Sequence, residues 1–445
     1  MIIRIFIKNV LSFYDETSVS LFPGKGTSNR HVIRSEKRDD IPALKTAVIY
    51  GANASGKSNL IKVISFFKSF VVKGYAPQQG IDYQPFKLSD KDNEPSKIEF
   101  EIKIKDKNYA YGVEFNRTEV LEEWLYIINQ RKEQKIFARK NTKTKVDVIF
   151  EKVKFRDKET ENFAKFTGRG TPRNKLFLQE AIHRNIDFIP EINIVFNWFR
   201  YQLKILFPNS RYSGIDFHVK ETKNLFQKFS NFLRYFKTGI SDLTRKKINL
   251  NEIKDLPKDL INDVTSNLKP NGKSMLNSFD NRNNYAFEKD SKNKLSVYKI
   301  ATTHKSFTGK DVYFNLQEES DGTNRIIDFI PALLDLTSND VVYVIDEIDR
   351  SMHPILTRGI IDFYLKNSEN IKSQLITTTH EASLLDLELL RKDEIWFVEK
   401  EKNGNSKMYS LLEFKPRTET KIRKGYLQGR YGAIPFLSNP EDLNW

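Results

Sequence analysis

Two hydrophobic periods alternate along this chain, and their placement predicts a mixed α/β protein. Lys97-Ile98-Glu99-Phe100-Glu101-Ile102-Lys103-Ile104-Lys105 alternates strictly between apolar and charged residues, as a strand with one buried face does. Asp106-Lys107-Asn108 reads as a turn, and Tyr109 to Phe115 and Leu121 to Ile128 read as further strands, so this region predicts antiparallel sheet. Leu44 to Tyr50, Val341 to Ile345 and Gln374 to His380 lack that alternation and read as buried strands, the latter two central and parallel. Helical spacing marks Asn59 to Phe67, Asn324 to Ile330 and Ile355 to Leu365, and amphipathic helices are predicted over Leu176 to Ile182, Ile194 to Phe207 and Asn224 to Phe236. Residues 245–296 are rich in Lys, Asn and Asp and read as a mobile connection or a partner-facing insertion. Lys294 to His304 and Lys310 to Leu316 then predict a hairpin around Phe307-Thr308-Gly309. The organisation expected is an N-terminal lobe over 1–128, an inserted basic and helical lobe over 129–293 and a C-terminal lobe over 294–445.

Composition narrows the class. The chain has no cysteine, which excludes disulfides, thiolate metal sites and a thiol nucleophile and suits a reducing cytoplasm. No run of 18 apolar residues occurs, so no membrane span is expected, and Met1 to Asn9 reads as a first strand rather than a signal peptide. The formal net charge is +15. Lysine enrichment of an AT-rich genome accounts for this, and so does a surface for nucleic acid or an acidic partner. In Lys132 to Arg173 basic residues alternate with Phe137, Phe150, Phe155, Phe163 and Phe166, a pattern that suits single-stranded nucleic acid or simply elements with buried Phe and a solvated basic face.

The chemistry is concentrated in short segments. Gly51-Ala52-Asn53-Ala54-Ser55-Gly56-Lys57-Ser58 fits G-x-x-x-x-G-K-[ST] between a predicted strand and a predicted helix. Such a turn aims backbone N–H groups at phosphate, with Lys57 reaching the β- and γ-phosphates of ATP and Ser58 holding Mg²⁺. Asp346-Glu347 ends the strand at 341, where open α/β sheets bind ligands; Asp346 would complete the Mg²⁺ shell and Glu347 would act as general base toward water. Glu319-Ser320-Asp321-Gly322-Thr323 opens a predicted helix, a second phosphate-binding terminus. Asp349 follows the acidic pair, and His380 closes another strand as a candidate γ-phosphate sensor.

In this order the P-loop, the S-x-G segment, the acidic pair, Asp349 and His380 resemble the ATP-binding-cassette ATPase head of the soluble branch, which includes the structural-maintenance, recombination-repair and OLD-like ATPases. More narrowly, GANASGKSN, YQPFKL, ESDGT, VIDEIDRSMHP, TTTHEASLL and the tail RKGYLQGRYGAIPF resemble the RloA/abortive-infection ATPases, cousins of the PARIS anti-phage ATPase. The resemblance implies an α/β fold: a P-loop core with mixed sheet, an antiparallel β lobe and an inserted helical lobe. It implies a Mg²⁺-dependent ATPase in which Gly51, Asn53, Ala54, Ser55, Gly56, Lys57, Ser58 and Asn59 bind ATP, with Gln84 as a Q-loop residue and Asp349 as the D-loop. Ser320 and Gly322 would touch the γ-phosphate held by a second copy, giving a homodimer with ATP sandwiched between heads, alone or within a larger ring. ESDGT stands where transporters have LSGGQ, so only the Ser and the first Gly carry over. The partner implied is an operon-encoded Toprim-type nuclease, because the 65 residues after His380 are too few to carry such a domain. The trigger would be nucleic acid or an acidic phage protein; the alternative is a RecF/SMC-like repair ATPase acting on DNA itself.

Overall fold

The structure, a computed structural model, describes residues 1–25, 30–34, 39–89, 94–142, 144–210, 222–278, 283–414 and 422–434. It divides into two compact units. The first holds Met1–Pro208, Asp335–Asp349 and Arg358–Trp445, and the second Asn209–Leu334 and Arg350–Thr357.

Two sheets build the first unit. One has seven antiparallel strands in the order Val146–Phe150, Glu133–Asn141, Val120–Ile128, Lys107–Phe115, Ser96–Ile104, Ile2–Lys8, Thr17–Ser20. The other has six strands in the order Leu203–Leu206, Val342–Ile345, Gln374–Thr378, Thr46–Gly51, Ile395–Lys400, Ser406–Ser410. Its first five are parallel and the last is antiparallel. The helix Lys57–Val72 buries Leu60, Ile61, Ile64, Phe67 and Phe70 at helical spacing. Phe67 stacks on Phe100 of the antiparallel sheet at 5.1 Å and meets Phe199 edge-on at 5.5 Å. One apolar cluster therefore runs from Ile98 and Phe100 through this helix to Val344, Ile376 and Val398. Each buried aromatic ring removes about 150–250 Å² from water and adds to what the aliphatic majority of this cluster contributes.

The second unit carries an antiparallel sheet in the order Asp242–Ile248, Leu295–Lys305, Asn284–Lys289, Lys273–Asn277, with Asp311–Asn315 also paired to Leu295–Lys305. Ile253, Leu256, Ile261, Tyr285, Phe287 and Val297 form its own apolar cluster.

This arrangement revises several expectations. The lobe expected over 129–293 is not one body: Glu133–Phe150 extends the N-terminal sheet, because register pairing with Val120–Ile128 continues past residue 128. Ile194 to Phe207 is not one helix. The helix Pro190–Asn197 passes through a wide turn at Trp198–Gln202 into the strand Leu203–Leu206, which pairs in parallel with Val342–Ile345. Edge pairing overrides the local helical spacing there. The described residues of 245–296 are mostly sheet and helix, since alternate apolar positions such as Tyr285 and Phe287 find a shared core with Ile253, Leu256 and Ile261 despite the polar composition. The hairpin predicted at 294–316 is present.

Candidate nucleotide site

Every residue of Thr46–Gly51 is buried, because this strand lies between Gln374–Thr378 and Ile395–Lys400 and is covered on both faces. At its C-terminal end the chain turns through Ala54 at φ 60° and Gly56 at φ 117° before the helix begins at Lys57. A Cβ at Gly56 would lie 2.3 Å from Ser406 Oγ and 2.9 Å from Ser12 Oγ, so glycine alone meets both the angle and the space. The first N–H groups of the helix have no acceptor within it and face the turn. Asn53 and Ala54 stand exposed at the crest, whereas Ser55, Gly56 and Lys57 are buried.

The turn is fastened from behind. Ser406 Oγ donates to Ser55 O at 2.6 Å and lies 2.8 Å from Ser12 Oγ, and Asn59 Nδ2 donates to Ser12 Oγ at 2.9 Å. Ser406 N donates to Ser12 O at 2.7 Å, which ties the strand at 406 to the loop at 12. Ser12 and Ser406 carry no local sequence signal; only tertiary pairing brings them to the P-loop.

Lys57 Nζ donates to Gly51 O at 2.6 Å and Ala52 O at 2.9 Å. Burial pulls its pKa down to about 8, against the opposing pull of Asp346, Glu347 and Asp349. Those carboxylates follow directly on the strand Val342–Ile345, which is separated from the P-loop strand by Gln374–Thr378. Asp346 is buried, and Thr378 Oγ1 donates to its Oδ1 at 2.6 Å while accepting from Glu347 N at 2.8 Å. Thr378 is thus a hinge pin for both acidic residues, and it too escaped the sequence reading. Glu347 sits at φ 51°, in the left-handed region, where the strand ends abruptly. His380 N donates to the Asp349 carboxylate at 3.3 Å. Partial desolvation and the Lys57 charge hold the His380 ring below its ordinary pKa, with Asp349, Glu347 and Asp346 opposing.

Gln84 is exposed in an open cleft of about 240 Å³ shared with Ser12, Asn59 and Lys62, and its carbonyl accepts from Leu11 N at 2.8 Å. Ser320 and Gly322 belong to the second unit. Ser320 is exposed and its Oγ accepts from Thr323 N at 3.1 Å, as an N-cap does. A Cβ on Gly322 would come within 2.7 Å of Ser351 O, so the close approach of that backbone needs glycine.

These groups fit a nucleotide phosphate and a divalent ion. Ser55 Oγ is buried without a partner among the described residues, and the turn leaves no room for a Cβ at Gly56. One carboxylate, Asp346, with the Ser58 hydroxyl suits Mg²⁺, which takes one or two protein oxygens and completes its shell from phosphates and water.

Part of the basic stretch at 132–173 is neutralised by neighbouring carboxylates. Lys135 pairs with Glu151 at 2.6 Å, Lys145 with Asp147 at 2.7 Å, Lys165 with Glu161 at 2.6 Å and Arg173 with Glu119 at 2.7 Å. Phe137 is buried and Phe150 and Phe155 pack on the core, while Phe163 and Phe166 are exposed.

A glycine turn after a buried parallel strand, with one strand between it and the acidic pair, defines a P-loop protein. The chain belongs to the family described as "AAA domain, putative AbiEii toxin, Type IV TA system", which matches residues 47–386. No curated protein matches it. Among solved structures it is similar to an Smc head bound to the C-winged helix domain of ScpA, at 15% identity and a TM-score of 0.40, covering 93% of this chain and 99% of that one. It is also similar to an SMC head domain from Thermotoga maritima, at 13% identity and a TM-score of 0.36, covering 92% of this chain and 98% of that one. A Pyrococcus furiosus Smc head with an extended coiled coil, bound to the C-terminal domain of ScpA, gives 12% identity, a TM-score of 0.33 and coverage of 97% and 99%.

Proposed function

We propose that this chain is a Mg²⁺-dependent ATPase of bacterial anti-phage defence, completed by a second copy of itself and controlling a separately encoded nuclease or toxin. The observation that carries the ATPase reading is the Lys57 ammonium, held at a glycine turn within the field of Asp346, Glu347 and Asp349. The defence reading is supported by the family description, which names a toxin and a Type IV toxin–antitoxin system, and by the motif resemblance to abortive-infection ATPases.

Lys57 would exchange its two carbonyl acceptors for β- and γ-phosphate oxygens, while the N–H groups of Gly56 to Asn59 cradle the phosphates. Ser58 and Asp346 would hold Mg²⁺, which when bound neutralises charge on the phosphate oxygens. Glu347 would accept the proton of the attacking water, and Thr378 keeps Glu347 and Asp346 in fixed relation. His380, held neutral at pH 7 by its lowered pKa, could hydrogen-bond a γ-phosphate without adding charge. Ser320 and Gly322 would close the site from the partner copy.

Glu347→Gln tests the mechanism: ATP binding should persist and steady-state phosphate release should fall at least about 100-fold, the usual worth of a general base. Turnover at the native rate would overturn it. Failure to co-purify with the product of the adjacent gene, together with DNA-stimulated ATPase at physiological salt, would replace the defence reading with direct action on DNA.

A further inference from the structure

In the second unit the chain runs out along Leu295–Lys305, returns along Asp311–Asn315, makes a short turn at Leu316–Glu318 and enters the helix at Asp321. Ser320 is the residue on which this path lands, so its position depends on where the turn ends. Local bonds shape the turn itself: Glu318 accepts from Asn315 N at 2.6 Å, and Asn324 Nδ2 donates to Leu316 O at 2.9 Å and Glu319 O at 3.3 Å. These bonds join residues at most eight apart. The Glu319 side chain makes a longer tie. Its Oε1 accepts from Thr302 Oγ1 and from His304 Nε2, the latter at 2.7 Å, and the carboxylate is only 8% exposed. The His304 ring in turn lies 4.7 Å from that of Phe314 on the returning strand.

A carboxylate so far from water is costly unless donors meet it, and here one oxygen is met by two donors from one strand. The fold does not need this tie for its register. Leu295–Lys305 and Asp311–Asn315 already pair at five positions, and the apolar cluster of the unit centres on Phe287, Val297 and Ile261. What the tie adds is a fixed end for the turn that presents Ser320.

We infer that Glu319, held by Thr302 and His304, sets the presentation of Ser320 to the nucleotide of a second copy, which makes Glu319 and His304 positioning residues of the shared site. This rests on the proposed ATPase with its signature acting between copies. Their loss should therefore lower turnover without loosening ATP binding, and the defect should belong to the signature side of the interface. Neither property follows from a merely structural role.

The test is complementation between full-length chains. Glu319→Ala alone should lower ATPase at least tenfold with ATP affinity within twofold of the native chain. Mixed one to one with Lys57→Ala, it should recover to about a quarter of the native rate, since half the dimers are mixed and each has one whole site. Mixed with Ser320→Arg, it should recover nothing, because both chains lack the same half. Glu319→Gln, which keeps an acceptor, and His304→Gln, which keeps an N–H donor, should restore most activity. Should Glu319→Ala fail to fold, His304→Ala carries the same test. Native activity in the alanine variants, lost ATP binding, or equal recovery with both partners would overturn the inference. If Lys57→Ala with Ser320→Arg recovers but Lys57→Ala with Glu319→Ala does not, the inference alone fails. If neither mixture recovers, the shared-site reading falls and takes the inference with it.

Discussion

Gly56→Ala should cripple nucleotide binding while leaving the rest of the fold standing. At φ 117° the backbone lies where L-residues rarely go, a strain of about 1–3 kcal/mol. The added methyl would also meet Ser406 Oγ at 2.3 Å, Ser12 Oγ at 2.9 Å and Ser406 Cβ at 3.0 Å, an overpacking of about 1–3 kcal/mol. The turn will relieve both by opening, which withdraws the N–H cradle. If opening absorbs even the lower sum of about 2 kcal/mol, the ATP dissociation constant rises about 30-fold. Titration with a fluorescent ATP analogue measures that, and thermal unfolding checks that the fold survives. A double-mutant cycle with Ser406→Ala separates the two terms. Removing Oγ deletes the nearest clash, so Ser406→Ala should harm the Gly56→Ala chain less than the native one by about 1 kcal/mol. Binding by Gly56→Ala within twofold of native, or a strictly additive cycle, would refute the reasoning.

Two further expectations concern charge and orientation. Because burial lowers the Lys57 pKa from 10.5 to about 8, the unfolded chain binds more protons between those values; stability without nucleotide should rise with pH across that window. ATP favours the charged ammonium, so its affinity should fall as pH rises through about 8. Binding near pH 8 should take up a proton, seen as a calorimetric heat that depends on the buffer; a buffer-independent heat would rule this out. Thr378→Val should leave an Asp346 oxygen unmet at about 1–3 kcal/mol. If this cost falls on the transition state, turnover drops roughly 5- to 150-fold. Thr378→Ser, which keeps the hydroxyl, should stay close to native, and equal rates in Thr378→Val and Thr378→Ser would exclude the orienting role.

What could be read in the sequence was what is local. The P-loop announces itself because strand, glycine turn and helix are contiguous, and Asp346-Glu347 because an apolar run stops there. Ser12, Thr378 and Ser406 were invisible: each is an ordinary hydroxyl residue whose partner lies 31 to 394 residues away, and no period records such a contact. Leu203–Leu206 was misread for a related reason. Its Leu-Lys-Ile-Leu run continues the spacing of the preceding helix, and only the neighbouring strand at Val342 makes it extended. The 245–296 region misled by composition, since lysine and asparagine around them mask the alternation of Tyr285 and Phe287. The organisation into units was the least legible feature, because the second unit is assembled from two separate stretches of chain.

The place of Thr46–Gly51 in its sheet bears on how the protein is born. Both neighbours of this strand, Gln374–Thr378 and Ile395–Lys400, are made more than 320 residues later, with Tyr50 pairing opposite Phe397. At synthesis rates of about 5–20 residues per second, the phosphate turn emerges from the ribosome on the order of tens of seconds before the strands that hold it. Until then Thr46–Gly51 is an apolar strand with two open edges, a natural client for a chaperone. A chain truncated before Ser406 would also lack the hydroxyl that fastens Ser55. Capture of ATP therefore reports that translation has passed residue 406, and nascent chains arrested earlier should not be retained on immobilised nucleotide.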